Sequence, residues 1–366
     1  MRILHLANHC RLGHGNAHVA VDLACVQAEK GDTVFYGSEG GELEPTLAAS
    51  GVTHVTIVQR TRQPLVLLRS VAQLRALIKK HKIDIVHAHM MSGAVLGYLA
   101  TRATSAKLVT TVHNSFDSHA HIMRLGDRVV AVSRAEHEAL LGLGFLQSQL
   151  VTIVNAPLGS ARMRMLDTNE VMDRPVPVIC TVCGLHERKG VATLIDAFAS
   201  IAGRYESEFH IVGDGPDRAL LEKRAEDSGF GERIVFHGSL EDPGRVMRGA
   251  SIFALASHAE PMCLVNMEAR QAGCAMVVSD VGGNPEAVEG GQVGSIVAPR
   301  DVSGFANAFE RLLADKDHLA EMRRRSRSNL ERFGVDHLAH EHDRLYSELL
   351  NRPMPAILPD GQKAAS

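Results

Sequence analysis

Two glutamates stand eight positions apart in the stretch HAEPMCLVNMEARQAGC, from His258 to Cys274. On one continuous α-helix, eight residues advance the chain by about 80° around the axis and by about 12 Å along it. Glu260 and Glu268 therefore cannot act as a close acid and base pair. Pro261 is favoured near the start of a helix and disfavoured in its interior. The helix is thus expected to begin near Met262 and to leave Glu260 in the preceding loop.

The expected start of this helix is suited to binding an anion. The first-turn amides of Cys263, Leu264 and Val265 would point outward together with the positive end of the helix dipole. A carboxylate on either side of an anion site suits a ligand built of hydroxyls, phosphates and hydroxyls, as a nucleotide sugar is. The same residues also fit a plainer alternative, in which Glu260 caps the helix and Glu268 is solvated.

A second candidate site lies in GLHERKG, where Arg188 and Lys189 precede Gly190 and a helical pattern. Fixed cations between a strand and a helix suit a diphosphate, although a basic pair is also common on plain surface. In HIVGDGPDRALLE, Gly213 follows a strand, but Arg218 stands where a dinucleotide-binding motif has its third glycine. The pattern therefore argues against an NAD site.

The elements that must position these residues alternate between short β-branched runs and longer helical patterns, which is typical of parallel sheets with helical crossovers. Ligands of such sheets bind beyond the carboxyl ends of the strands, so two sheets that face each other would form a binding cleft. The strands predicted for the first half are RILHLA, DTVFYG, THVTIV, DIVHAH, KLVTTVH, RVVAVS and LVTIVN; those for the second half are VPVICTVC, EFHIVG, IVFHG, SIFALA, AMVVS and VGSIVA.

The length of 366 residues and this pattern predict two doubly wound α/β domains. The expected divisions are an N-terminal, acceptor-side domain over residues 1–165, a C-terminal nucleotide-sugar domain over 166–335, a helix over 336–351 that could return to the first domain, and a flexible tail over 352–366. The boundary segment, near residues 160–175, has no clear period and ends in prolines.

The composition excludes several classes of protein. A net charge of −3 argues against a general nucleic-acid binder. Six scattered cysteines form no disulfide framework, and no apolar run is long enough to span a bilayer. These features predict a cytoplasmic protein.

Taken together, the motifs resemble those of retaining glycosyltransferases with the GT-B fold, of the group 1 or family 4 type. EPMCLVNMEARQAG is similar to the paired-glutamate motif of that family, and GLHERKG, IVGDGP, IVFHG and SDVGGNPE are placed as the family places its motifs. The resemblance implies two Rossmann-like domains facing across a cleft. It also implies transfer of a sugar from a nucleoside diphosphate to an acceptor hydroxyl with retention of anomeric configuration, in the synthesis of surface polysaccharide, lipopolysaccharide or glycolipid.

The resemblance implies roles for individual residues. Glu260 would lie by the donor sugar, Glu268 would accept hydrogen bonds from the ribose, and Lys189 would neutralise the leaving diphosphate. His113, in TTVHN, would contact the donor sugar near the reaction centre, and Gly15, in RLGHGNAHVA, would bring an amide to the phosphate. The Leu264 and Val265 amides would hold the diphosphate, and Arg188, Gly213 and Cys263 are also expected to bind the substrate.

Two positions depart from the pattern of the family. Gly184 stands where an arginine usually precedes the lysine, so Arg188 is expected to substitute for it imperfectly. Met262 and Cys263 replace the usual aromatic residue and glycine after the first glutamate and proline, which changes the shape of the loop.

The resemblance implies no cofactor and no metal. His87, His89 and His113 could be taken for zinc ligands, but DIVHAH resembles an ordinary strand end of this family, which favours no metal there. Two other functions stay open: a nucleotide-sugar epimerase of the same fold, and a catalytically idle homologue that binds a nucleotide or a partner.

A basic segment, residues 60–82, raises the question of a membrane surface. It carries arginines and lysines but no acidic residue, and Leu67, Val71, Leu74 and Ile78 recur at helical spacing. Such a helix could lie on an anionic membrane, on the inner face of the plasma membrane, where a lipid-linked acceptor would be found. Alternatively, its apolar face docks on the sheet and its basic face is solvated.

Overall fold

The computed structural model describes residues 1–61, 63–166 and 170–354. The chain divides into two compact units, of which the first comprises Met1–Met165 with the chain from Phe333 onward and the second is Leu166–Arg332. Residues 355–366, most of the tail expected to be flexible, and residues 167–169 of the expected boundary segment lie outside the described residues.

The first unit is built on a seven-stranded, fully parallel sheet. Its strands lie in the order β3-β2-β1-β4-β5-β6-β7, and all seven predicted strands are confirmed. Their bounds are β1 Arg2–Leu6, β2 Thr33–Ser38, β3 Thr53–Thr56, β4 Ile85–Ala88, β5 Lys107–Val112, β6 Arg128–Ala131 and β7 Leu150–Thr152. The helices are α1 Gly15–Glu29, α2 Glu44–Ala49, α3 Pro64–His81, α4 Met91–Thr101, α5 Arg134–Gly142 and α6 Ala161–Arg164, with a 3₁₀ segment at Ala120–Leu125.

The second unit repeats this plan with six parallel strands in the order β10-β9-β8-β11-β12-β13. All six predicted strands are confirmed, as β8 Val178–Val182, β9 Glu208–Val212, β10 Ile234–Gly238, β11 Ile252–Leu255, β12 Ala275–Ser279 and β13 Gly294–Val297. The helices are α7 Val191–Ala202, α8 Arg218–Asp227, α9 Gly244–Gly249, α10 Leu264–Ala272, α11 Asn284–Ala287, α12 Val302–Ala314 and α13 Lys316–Ser326. Short 3₁₀ segments lie at Glu187–Lys189, Gly231–Arg233, Glu289–Gly291 and Glu331–Phe333.

Both sheets are covered by helices, and for that reason their strands are apolar on both faces. Strands β4, β11 and β12 are buried at every position. Each sheet also reverses its order at one place, between β1 and β4 in the first unit and between β8 and β11 in the second. Ligands of doubly wound sheets bind at the carboxyl ends of the strands beside such a reversal.

The last helix of the described chain, α14 Val335–Leu350, belongs to the first unit. Two backbone hydrogen bonds join the start of this helix to Leu158. The Leu158 amide donates to the Phe333 carbonyl, and the Val335 amide donates to the Leu158 carbonyl. Leu345 and Tyr346 are buried in the core beneath the sheet. None of the helices in the described ranges is long and apolar enough to cross a membrane.

Four histidines are buried in the first unit, where β1, β4 and α14 meet. The rings of His87 and His89 stack with centroids 4.3 Å apart, and His5 and His342 each lie 5.4 Å from His87. Burial lowers the pKa of His5 and of His342 to about 4 and that of His87 and His89 well below the usual value of 6.5. All four are therefore neutral at pH 7.

The first prediction concerns acid stability. Between pH 6.5 and 4 the unfolded chain binds more protons at these histidines than the folded chain does, so stability falls as pH falls. Glu136 and Asp343, whose pKa values burial raises to about 6, act in the opposite sense but are fewer. His342→Gln should flatten the dependence of the unfolding free energy on pH by about 1.4 kcal/mol per unit in that range.

Urea unfolding between pH 7.5 and 5 measures this slope. The matched control is His337→Gln on the same helix, because the His337 side chain is exposed; it should keep the wild-type slope. Equal slopes in the wild type and both variants would contradict the assignment of the buried histidines as the source of acid lability.

Candidate functional site

The loops that follow β8 and β11 meet at the order reversal of the second sheet. Lys189 follows β8, Glu260 follows β11, and their side chains form an ion pair through Nζ and Oε2. Ser257 donates a hydrogen bond to the same Oε2 over 3.2 Å, and Arg188 Nη1 lies 3.6 Å from it. Arg188 is held in turn by the Ala259 carbonyl, at 2.6 Å. The structure thus brings together three of the residues that the sequence singled out, Arg188, Lys189 and Glu260.

This ion pair is largely withdrawn from solvent, with side-chain exposures of 12% for Lys189 and 8% for Glu260. Burial disfavours the Lys189 ammonium, but the Cys263 thiolate, which forms only at strongly alkaline pH, and the Glu260 carboxylate outweigh that effect and raise the lysine pKa above its usual value. Lys189 is therefore a permanently charged, fixed cation, whereas Arg188, at 42% exposure, keeps contact with solvent.

Two glycines permit the close approach of these loops. Gly190 follows Lys189 in the left-handed region, with φ of +66°, and a Cβ there would lie 2.0 Å from the Ala256 carbonyl oxygen. Gly282 has φ of +50°, and its Cβ would lie 1.6 Å from the Glu260 carbonyl oxygen. Gly283 donates its amide to that same oxygen over 3.1 Å. The SDVGGNPE motif therefore supports the loop that carries Glu260.

Helix α10 begins two residues later than the sequence predicted, at Leu264, with Cys263 as the N-cap. The expected start at Met262 is wrong because Met262 and Cys263 continue the loop that leads out of β11. The Leu264 and Val265 amides are in the first turn as expected, whereas Cys263 precedes it. Burial raises the pKa of the Cys263 thiol to about 12, so this residue is neutral.

A buried chain of amides and hydroxyls ties α10 to the sheet, and sequence analysis missed it. Asn266 donates to Asn284 over 2.9 Å, Asn284 donates to Ser279 Oγ over 3.1 Å, and Ser279 donates to the Ser257 carbonyl over 2.7 Å. All four residues are buried. The sequence signal for this chain was the asparagine in LVNME and the asparagine in GGNPE.

Two further residues predicted from the sequence, Glu268 and Gly213, lie on α10 and directly after β9. Glu268 lies in the second turn of α10 and is half-buried. Gly213 follows β9 with φ of +129°; its amide donates to the Gly238 carbonyl over 2.8 Å, and a Cβ would lie 1.9 Å from the Cys183 oxygen. Gly213 thus allows the segments that follow β8 and β9 to approach each other closely. Arg218, in place of a third glycine, pairs with Asp214 and Glu222.

The first unit holds the other two predicted residues, His113 and Gly15. His113 follows β5, and its Nε2 lies 3.3 Å from Nδ1 of the buried His89. Gly15 is the first residue of α1, next to the N-cap His14. A Cβ at Gly15 would meet nothing within 4 Å, so packing does not require glycine there.

Two groups among the described residues have donor atoms close enough to surround a metal ion: His5, His87 and His89, and Cys10, Glu44 and His54. The first shares two members with the histidine set considered from the sequence, with His5 in place of His113. Both nitrogens of His87 already have protein partners, Tyr346 OH at 2.6 Å and Thr111 Oγ1 at 2.7 Å. Hydrogen bonding alone therefore accounts for the placement of His87.

Comparison with known proteins gives a consistent result for both units. The family model Glycosyltransferase Family 4 matches residues 14–156, and the model Glycosyl transferases group 1 matches residues 176–315. A GDP-mannose-dependent alpha-(1-6)-phosphatidylinositol monomannoside mannosyltransferase of Mycolicibacterium smegmatis is 30% identical over 279 residues, which are 69% of this chain and 72% of that protein. The N-acetyl-alpha-D-glucosaminyl L-malate synthase of Bacillus anthracis is 23% identical over 362 residues, 92% of this chain and 94% of that enzyme.

Solved structures show the same fold. A glycosyltransferase from Rickettsia africae aligns with a TM-score of 0.80 at 21% identity, covering 96% of this chain and 99% of that one. Anabaena HepE in complex with UDP aligns with a TM-score of 0.79 at 21% identity, covering 95% and 100%. These neighbours confirm the predicted GT-B fold of two Rossmann-like domains. From the family matches and the mannosyltransferase relative, the chain belongs to the glycosyltransferases of group 1 and family 4.

Proposed function

We propose that the protein transfers a sugar from a nucleoside diphosphate sugar to an acceptor hydroxyl with retention of the anomeric configuration. The observation that carries this proposal is the buried Lys189–Glu260 pair beside the first turn of α10, at the order reversal of the second sheet. Support for a nucleotide-sugar donor comes from HepE, which has been solved with UDP and with UDP-glucose.

The diphosphate is assigned to the Leu264 and Val265 amides and to Lys189. Helix amides and the helix dipole favour an anion at this end, and a lysine supplies a compact charge that does not depend on pH near neutrality. Arg188, which is more exposed, is proposed to contribute a second cation as the Lys189 ammonium is already shared with Glu260. Gly213 and Cys263 are proposed to shape the loops around the phosphates.

Transfer breaks the bond between the anomeric carbon and the diphosphate oxygen, and negative charge grows on that oxygen as the bond lengthens. A cation and amide dipoles that are already in place stabilise this charge without reorganisation, which is the largest effect such a site offers. The acceptor oxygen forms the new bond on the same face, and its proton leaves with the departing phosphate.

Glu260 has two proposed tasks. Its Oε2 holds Lys189 and accepts from Ser257, while Oε1 would accept a hydrogen bond from a hydroxyl of the donor sugar. Glu268 is proposed to accept hydrogen bonds from the ribose. In the first unit, His113 is proposed to contact the donor sugar and Gly15 to bring its amide to a phosphate, as the family resemblance implies.

The acceptor is proposed to be a sugar or a lipid-linked sugar, in surface polysaccharide or glycolipid synthesis. The mycobacterial relative, which by name acts on a phosphatidylinositol monomannoside, supports a lipid-linked acceptor. An epimerase of the same fold would consume a donor without an acceptor, and an idle homologue would consume none. A donor assay with and without acceptor therefore separates the three.

Membrane contact is proposed for α3, but by a different face from the one the sequence indicated. Leu74 and Ile78 are buried, and Leu67 and Val71 pack against the same core, so this apolar face docks on the sheet. The apolar residues left outward are Leu65 and Leu68, with 71% and 64% exposure, and the basic residues exposed on the same helix are Arg69, Lys79 and Lys80. Arg62 of the predicted basic segment lies outside the described residues.

The second prediction tests Glu260. Glu260→Gln should lower donor turnover by at least about a hundredfold, because the charge that holds Lys189 is lost. Glu208→Gln is the matched control: Glu208 pairs with Arg174 in the same unit, but at the amino end of β9. The control should keep near-normal turnover, measured as release of nucleoside diphosphate. Equal turnover in Glu260→Gln and the wild type would remove Glu260 from the mechanism.

The third prediction is stereochemical. The product formed by the wild type from an α-linked donor should carry the transferred sugar in α-linkage, read by NMR from the one-bond coupling between C1 and H1 of that sugar. An inverted product would leave the transferase activity in place but contradict the proposed retention.

The fourth prediction tests membrane contact. The protein should co-sediment with vesicles containing phosphatidylglycerol and not with neutral vesicles, because basic residues gain about 1 kcal/mol each near an anionic surface. The double variant Leu65→Gln, Leu68→Gln should reduce binding several-fold, whereas Leu146→Gln, at a leucine of 67% exposure after α5, should not. Absence of wild-type binding to anionic vesicles would end the membrane proposal.

A further inference from the structure

A hydrogen-bonded chain runs from the half-buried His113 to a buried glutamine in the first unit. His113 Nε2 lies 3.3 Å from His89 Nδ1, His89 Nε2 lies 3.0 Å from His5 Nδ1, and His5 Nε2 lies 2.8 Å from Oε1 of Gln27. Gln27 is on α1, His5 on β1, His89 follows β4 and His113 follows β5. Each ring therefore uses both of its nitrogens, except His113, whose Nδ1 lies outside the chain.

The rings of this chain are neutral. Burial lowers the pKa of His113 and of His5 to about 4 and that of His89 well below 6.5, and neighbouring histidines add to the effect. A neutral imidazole has one N–H donor and one lone pair. Consequently, the role of one ring nitrogen fixes the role of the other.

The direction of the chain follows from its buried end. An amide oxygen only accepts, so His5 Nε2 carries the proton and His5 Nδ1 is a lone pair. That lone pair accepts from His89 Nε2–H, which leaves His89 Nδ1 to accept from His113 Nε2–H. His113 is then protonated at Nε2 and carries its lone pair on Nδ1.

We propose that Gln27, acting through His5 and His89, sets the tautomer of His113, so that His113 presents Nδ1 as a hydrogen-bond acceptor. These three are positioning residues, since they act through another side chain. The inference deepens the proposed function, on which the catalytic role of His113 rests. It specifies that His113 accepts a hydrogen bond from a hydroxyl of the donor sugar and does not donate one.

Histidine-labelled protein and two-bond ¹⁵N–¹H correlation spectra report the tautomer directly, because the pattern differs between a protonated and a lone-pair nitrogen. The full chain is used without ligand, and the His113 signals are identified by their loss in His113→Gln. Wild type should show the Nε2–H tautomer of His113. Gln27→Met, which has nearly the same size but no acceptor, should shift His113 to a mixture or to the Nδ1–H form.

One variant serves as a control. Gln59→Met removes a different buried glutamine of the same unit, which donates to the Ala7 and Gly37 carbonyls, and should leave the His113 signals unchanged. If Gln27→Met does not fold, His5→Phe cuts the chain at its next link and carries the same expectation.

The activity readout is kept separate from the spectra. Gln27→Met should lower kcat about tenfold with a smaller change in KM, the size expected for one misdirected hydrogen bond. A His113 tautomer that stays Nε2–H in folded Gln27→Met and His5→Phe would overturn the inference. If the tautomer shifts in Gln27→Met but the wild type has no transferase activity, the proposed function is rejected and the relay is kept.

Discussion

The buried ion pair between Lys189 and Glu260 is the interaction on which the proposed chemistry depends. Removing either partner of such a pair leaves an uncompensated charge and costs about 3–5 kcal/mol, whereas the intact pair contributes little net stability. Its benefit is positional: a cation that would otherwise swing on a flexible stem is fixed at the end of a strand, beside the amides that open α10. This placement requires glycine at positions 190 and 282, since any side chain at Gly190 or Gly282 would collide with the backbone of the neighbouring loop.

The first unit has different side chains at the place where its own sheet reverses its strand order. Its order also reverses between two neighbouring strands, here β1 and β4, where His5 and His87 are register partners. The charged pair of the second unit is replaced there by uncharged rings joined by hydrogen bonds, with Gln27 and Tyr346 at their edges. The second unit thus holds a fixed charged pair at this place, whereas the first unit holds uncharged side chains with a fixed hydrogen-bond direction.

The sequence predicted the strands well because parallel strands covered on both faces are short apolar runs, and these are visible without any tertiary information. It also predicted Lys189 and Glu260, whose positions at strand ends follow from local order. What it could not predict depends on contacts between distant segments. The start of α10 at Leu264 is set by the loop around Met262, and the amide chain from Asn266 to Ser279 joins separate elements. His89 pairs with His5, 84 positions earlier in the chain, and His5 pairs in turn with Gln27. The apolar face of α3 was correctly recognised as apolar, but only the fold shows that it is already occupied.

Nucleotide binding tests the central assignment of the Lys189–Glu260 site most directly. Thermal unfolding would be measured with UDP, GDP, ADP, dTDP and NAD at matched concentrations, in the wild type, in Lys189→Met and in Lys223→Met, where Lys223 is an exposed lysine of α8 paired with Asp227. A ligand present at 100 times its dissociation constant adds about 2.7 kcal/mol to stability. A nucleoside diphosphate should raise the melting temperature of the wild type and of Lys223→Met much more than that of Lys189→Met, and NAD should have no effect on any of the three. No shift with any nucleoside diphosphate, or an equal shift in all three proteins, would contradict this assignment.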